Sequence, residues 1–344
     1  MEKFDFKRRK STAAQRQFNL EQTIAQYLDA KRLQRRSART IKTYKQTLQH
    51  YAKFCADHGL TGAEDDCFKR YIEYMSFYKT KWDDHPTSRS DEIGVSARTV
   101  NNIIRNMRIF YNWAVSEKLI DHNPAAHVGY QTEDEESFDV FTDEEVKALL
   151  DAPNKRIYTG FRDYVMMLVL VDTGVRVGEL TALKRGDVDL IYRQIVLPAE
   201  ITKTRRTRVV PISSTTAKAI GELFDMIGAD DSQPDEHIFL TQFGERYYGD
   251  TFAKMLKKYA KKSGYSIKAR VSPHTFRHYF AVKFLRNGGD PFALMKILGH
   301  TDMAMTQRYV RYAKSEVKDI HEKASPVESI MPQRNKRKGS VKFK

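Results

Sequence analysis

The chain has 344 residues, 41% of them hydrophobic, with 59 Lys and Arg against 44 Asp and Glu and a formal charge of +15. That is room for two ordinary domains, each with its own core, and the basic balance favours polyanionic partners. The longest apolar run, residues 164–171, is far short of the roughly 18 residues a membrane span needs, and the opening MEKFDFKRRK has no apolar signal-peptide stretch.

Residues 1–16, with Lys7-Arg8-Arg9-Lys10, read as a basic flexible arm. A helical region follows over 17–127. Asn19 is a cap, and Leu20, Ile24, Tyr27, Leu28 and Leu33 trace the first apolar stripe. Thr40 begins a second helix carrying Ile41, Tyr44, Leu48, Tyr51 and Phe54, which closes at Gly59. A third helix covers 64–78. After a turn-rich stretch over 82–94 a fourth carries Val100, Ile103, Ile104, Met107, Phe110, Tyr111, Trp113 and Ala114, and Asn123-Pro124 ends it. Cys55 and Cys67 have neither CxxC spacing nor partners for a disulfide framework, and read as two reduced thiols in a cytoplasmic protein.

Acidic residues at 133–136 mark an interdomain linker over 128–140. A second domain over 141–325 opens on Phe141-Thr142-Asp143-Glu144-Glu145, a capping-box pattern. The apolar 164–171 segment reads as a buried helix ending at Thr173-Gly174. Residues 195–197 and 208–212 read as paired strands joined by a basic loop at 202–207. Helices then run to about 325, and a basic, disordered tail covers 326–344. The fold class is mainly α with a small antiparallel sheet in the C-terminal domain.

HTFRHYF sets His274 and His278 four apart, a spacing that metalloprotease helices also use. The Glu such a helix needs after its first His is replaced by Thr275. Ser272 and Pro273 put His274 in the first helical turn, where free N–H groups favour an anion over a metal. Arg277 lies one turn on, a planar donor able to grip two phosphate oxygens. His278 reads as a structural hydrogen bond, with Phe276, Phe280, Phe284 and Leu285 facing the core. TGVRVGEL sets Arg176 and Glu179 three apart, so the carboxylate can orient the guanidinium; the plainer alternative is a surface ion pair worth at most about 1 kcal/mol. Leu298-Gly299-His300 breaks a helix, and Tyr309, in TQRYV, follows nine residues later.

This ordered set resembles the tyrosine recombinase and integrase family, which includes Xer-type recombinases and phage integrases. TGVRVGEL, the ITKTRRTRVVPI hairpin, HTFRHYFA, LGH and TQRYV stand in the family's order; the catalytic likeness spans about 140–325, and 18–127 resembles the family's core-binding domain. The resemblance implies a two-domain DNA clamp and a site-specific recombinase that cleaves and rejoins DNA through a 3′-phosphotyrosyl intermediate, without metal, cofactor or ATP, in integration or excision of a mobile element. It implies Tyr309 as nucleophile, with nearby cations favouring its phenolate. Arg176 and Arg277 hold the scissile phosphate, His300 donates a hydrogen bond, His274 helps accept the nucleophile's proton, Lys203 is the general acid and Glu179 positions its neighbours. Arg205, Arg206 and Arg208 read as cations that touch phosphate, and Tyr312 as the rival nucleophile. Implied partners are double-stranded DNA, a homotetramer on synapsed DNA and accessory DNA-bending proteins. Set against this are a type IB topoisomerase-like or telomere-resolving enzyme, a DNA-binding regulator that does not cleave and, ranked last, a metalloprotease.

Overall fold

The computed structural model describes residues 18–80, 92–133, 139–228, 232–313, 321 and 325–330. The basic arm, most of the 82–94 stretch, the middle of the acidic linker and the tail beyond 330 lie outside them. The chain divides into two compact units, Met1–Glu136 and Ser137–Lys344.

Among its described residues the first unit contains four helices: α1 (Leu20–Leu33), α2 (Ala38–Asp57), α3 (Cys67–Phe77) and α4 (Ala97–Ser116). Side chains of Asn19, Ser37 and Ser96 accept the N–H of Gln22, Thr40 and Thr99, satisfying donors that a helix start leaves open. Tyr27, Tyr51, Phe68, Tyr71, Phe110 and Tyr111 fill the core between the helices. Both thiols are buried, and Cys67 Sγ lies 2.8 Å from the Tyr51 hydroxyl.

Four boundary expectations are corrected. The second helix starts at Ala38, because Ser37 rather than Thr40 is its cap. The third starts at Cys67, because the Glu64 carboxylate accepts the Thr61 and Gly62 amides and holds that stretch as a turn. Leu33 is 86% exposed: it is the last residue of α1, and Arg35, at φ 53°, turns the chain away. The fourth helix stops at Ser116, not at Asn123-Pro124. Lys118 takes a left-handed φ of 57° and the Leu119 amide donates to Ala114 O, closing the helix before the proline.

The second unit opens on α5 (Asp143–Asp151), where the Thr142 hydroxyl accepts the Glu145 amide and the Glu145 carboxylate accepts the Thr142 amide. Then come α6 (Tyr158–Thr173) and the single turn α7 (Val177–Leu180). Next is a three-stranded antiparallel sheet in the order β1 (Val188–Asp189), β2 (Gln194–Leu197), β3 (Arg208–Pro211). Val188 pairs with Ile195, and Leu197 with Arg208. β1 has two residues, too few to show an alternation in sequence. Helices α8 (Ser214–Ile227), α9 (Gly249–Lys262), α10 (Pro273–Arg286), α11 (Pro291–Leu298) and α12 (Met303–Ala313) follow, and a further helix, Pro326–Ile330, stands where the tail was expected to begin. The fold is thus mainly α with one small antiparallel sheet. Among the described residues no helix is long and apolar enough to cross a membrane.

Helix α10 packs against α6 on one side and against α11 and α12 on another. That crossing demands Gly174, the left-handed cap of α6 at φ 61°. A Cβ there would lie 2.4 Å from a Phe280 ring carbon and 2.9 Å from a Leu298 methyl. The end of α6 therefore reaches the middle of the HTFRHYF helix and the end of α11 at one point, and the polar residues gather there.

Candidate active site

Arg277 lies at the centre, 2% exposed. One terminal guanidinium nitrogen donates to Gly174 O at 2.7 Å and the other to Leu298 O at 2.8 Å. A guanidinium has five N–H groups, so these two bonds leave donors over, and Arg277 also hydrogen-bonds the Tyr309 side chain. Burial first, then the charge of Arg176, pushes its pKa down to about 10, so it stays protonated at neutral pH.

Arg176 is placed by Glu179. The α7 turn lets the Glu179 carboxylate accept the Arg176 amide at 2.9 Å and the Arg176 guanidinium at 3.1 Å. Glu179 is 2% exposed, so this is no surface pair. Its second partner corrects an expectation: Arg208, expected at the phosphate, donates to both Glu179 oxygens at 3.1 and 2.6 Å and through Nε to Ile297 O at 2.9 Å. The reason is position. As the first residue of β3 it faces the end of α11, and all three guanidinium nitrogens are engaged. Burial alone would raise the Glu179 pKa, but hydrogen bonds and charge from Arg208 and then Arg176 hold it below the usual carboxylate range. Arg208→Ala is expected to cost about 3–5 kcal/mol, because it leaves a buried carboxylate short of its main partner. The denaturant midpoint of the second unit measures this.

His300 sits where α11 ends. Gly299, at φ 64°, turns the chain, the Gly299 amide donates to Lys296 O and the His300 amide to Met295 O, a Schellman-type closure. The His300 ring meets the buried Thr306 hydroxyl, Nδ1 to Oγ1 2.9 Å. Burial first, then the charges of Arg277, Arg176 and Arg208, lowers its pKa from 6.5 to about 4, so the ring is neutral at pH 7. A base whose folded pKa is depressed gives stability that is present above the unfolded pKa and is lost as pH falls toward the folded one. Between about pH 6.5 and 4 the unfolded chain takes up a proton that the folded chain does not. Melting temperature should therefore fall through that window, and His300→Gln should flatten that part of the curve.

Tyr309, on α12, is 5% exposed and packs with Phe280, Ala281, Leu294 and Leu298. Its hydroxyl lies 2.9 Å from His278 Nδ1, and its ring runs parallel to that of His300 at 6.2 Å between centroids. The expected phenolate is corrected. Burial raises the Tyr309 pKa and outweighs the opposing charges of Arg277 and Arg308, so the group is a neutral phenol. Tyr312 is 38% exposed, whereas Tyr309 is 5% exposed.

His274 is exposed in the first turn of α10, where the Ser272 hydroxyl accepts the Thr275 amide; its ring meets that of His278 edge to face at 4.3 Å. Among the described residues no three His, Cys, Asp or Glu side chains gather as metal ligands. Lys203 is exposed in the hairpin loop. That loop is tied by the buried Thr202, whose hydroxyl accepts the Arg206 amide at 3.1 Å.

Arg176, Glu179, Arg277, His300 and Tyr309 thus converge through α6, α7, α10, α11 and α12, and Arg208 and Thr306 join them. The two additions carried weak sequence signals: one arginine opening a strand beside a loop that holds others, and one threonine on a helix.

A family model described as "Phage integrase family" matches residues 139–316, and one described as "Phage integrase SAM-like domain" matches 19–130. The chain is similar to "Tyrosine recombinase XerD" of Listeria innocua, 28% identical over 295 residues, covering 84% of this chain and 93% of the relative. To the protein of that name in Staphylococcus aureus it is 27% identical over 292 residues, with the same coverage. Among solved structures it resembles the Tn1549 transposon integrase in complex with transposon right end DNA. There the TM-score is 0.68 at 19% identity, over 89% of this chain and 98% of that one. A lambda integrase dimer bound to a COC′ core site gives 0.65 at 16% identity, over 86% and 78%. At those identities the structural likeness concerns fold alone.

Proposed function

The chain belongs to the phage integrase family, whose members are tyrosine recombinases, and from that premise we propose that it cleaves and rejoins DNA at specific sites through a 3′-phosphotyrosyl intermediate formed on Tyr309. What supports this most is the convergence of one buried tyrosine with two arginines and two histidines drawn from α10, α12, the end of α11 and the α7 turn. Attack on a phosphodiester loads negative charge onto the non-bridging oxygens, and fixed donors in a site shielded from water stabilise that charge. Arg277, anchored on two carbonyls, and Arg176, held by Glu179, supply cations without needing to reorganise. With the His300 ring neutral, a Thr306 hydroxyl donating to Nδ1 leaves the proton on Nε2, able to donate to the phosphate. His274, at the N-terminus of α10, completes the donor set. Lys203 is the candidate acid for the 5′-oxygen, delivered when the hairpin loop meets DNA.

The phosphotyrosyl bond keeps the energy of the broken phosphodiester, so a 5′-hydroxyl from another strand reseals the backbone without ATP. Further parts of the proposal are a cytoplasmic homotetramer on two synapsed duplexes, domains 17–127 and 141–325 clamping the DNA, accessory DNA-bending proteins, and service to a mobile element. The test uses a nicked duplex whose binding site the protein first selects from a randomised pool. Loss of the short 5′-hydroxyl strand traps the adduct, expected at the same rate with and without EDTA. No adduct on any selected duplex would sink cleavage in favour of a DNA-binding regulator, and strong inhibition by EDTA would sink the metal-free part.

A further inference from the structure

We propose that His278, the second histidine of HTFRHYF, is the catalytic acceptor of the Tyr309 proton; this rests on the reading of Tyr309 as nucleophile. A neutral, buried phenol is a poor nucleophile, and its proton must leave as the new bond forms. The base must lie within hydrogen-bond reach of the hydroxyl, and His278 Nδ1 is 2.9 Å from it.

The other groups around the oxygen are otherwise committed. The nearest cation, Arg277, is a donor with no acceptor capacity. His300 has its Nδ1 against the Thr306 hydroxyl at 2.9 Å, and it meets Tyr309 ring to ring, 6.2 Å between centroids. Glu179 is held between Arg208 and Arg176. His274 meets the ring of His278 edge to face at the exposed start of α10. That face of α10 therefore divides its work: His274 and Arg277 toward the phosphate, His278 toward the nucleophile. The four-residue spacing puts the two histidine rings together, and the packing of α12 on α10 brings Tyr309 to the second of them.

The step balances without an outside reagent. As Tyr309 Oη bonds to phosphorus its proton passes to His278 Nδ1. The bond from phosphorus to O5′ breaks with its electron pair on oxygen, and that oxygen takes a proton from the Lys203 ammonium. Resealing runs in reverse: the incoming 5′-hydroxyl returns a proton to Lys203, and His278 returns its own to the departing phenolate.

Single-turnover adduct formation on two nicked duplexes tests this, one with oxygen and one with sulfur at the 5′-bridging position; a thiolate leaves without a proton. His278→Ala and His278→Asn should each be slowed about 100-fold or more on both duplexes, with DNA affinity in gel shift within about threefold of the parent. Lys203→Ala should be slow on the oxygen duplex and restored on the sulfur one. Asn keeps an acceptor for the tyrosine hydroxyl but cannot hold its proton, so His278→Asn within threefold of the parent rate would reduce His278 to a positioning role and overturn the proposal. Rescue of His278→Asn by sulfur would overturn it too, by moving the residue to the leaving-group side. An adduct from Tyr309→Phe would instead bring down the nucleophile assignment, a separate and recognisable outcome.

Discussion

Tyr309→Phe should eliminate covalent capture of DNA, lowering cleavage by at least about 10⁴-fold, while gel-shift affinity stays within about threefold of the parent. The substitution removes one oxygen from a side chain that is 5% exposed and packed among apolar residues of α10 and α11. The ring contacts survive, so the fold and the DNA-binding surface survive. The atom lost is the one proposed to carry the phosphoryl group, and removal of a nucleophile leaves only the catalysis supplied by binding and charge. Denaturing gels that resolve the protein–DNA adduct decide the matter. An undiminished adduct would move the nucleophile elsewhere, with Tyr312 first in line.

Arg277 should be as sensitive, for two reasons that can be measured apart. Arg277→Ala strands the carbonyls of Gly174 and Leu298, which now accept its N–H groups at 2.7 and 2.8 Å. Leaving buried acceptors unpaired costs at least about 2 kcal/mol, visible as a lower denaturant midpoint. Catalysis should fall by roughly 10³-fold or more, the scale on which a transition-state arginine acts in phosphoryl transfer. Arg277→Lys separates the two effects. A lysine keeps the charge but presents a single ammonium, which cannot bridge both carbonyls and still grip a phosphate. Cleavage should stay low even at temperatures where the variant is fully folded. Near-parental cleavage by Arg277→Lys would mean that charge alone suffices and that the anchored geometry contributes nothing.

Much of this architecture was legible in the sequence because the cues are local. Asn19, the Thr142–Glu145 pair and Ser272-Pro273 cap helices through bonds between residues three apart, and those bonds form wherever the segment is placed. The order of TGVRVGEL, HTFRHYF, LGH and TQRYV was likewise on the page, and so was the family resemblance it carries. Local reading failed where two local signals competed: Pro124 looked like the stop of the fourth helix, yet the chain had already turned at Lys118.

The interior of the site was decided by contacts between residues far apart in the chain. Glu179 lies 29 residues from Arg208, His278 31 from Tyr309, and Arg277 103 from the carbonyl of Gly174. No periodicity encodes such pairs; they follow from how closely α6, α10, α11 and α12 pack, which Gly174 permits. Protonation followed the same rule. Composition placed cations near a tyrosine, but only burial in the folded chain shows that desolvation outweighs them and leaves a phenol. The sequence by itself determined which residue types are present, in what order, and where the helices begin. The tertiary structure decided which of them touch and which are charged, because both depend on distance and on the exclusion of water, and neither quantity exists until the chain has folded.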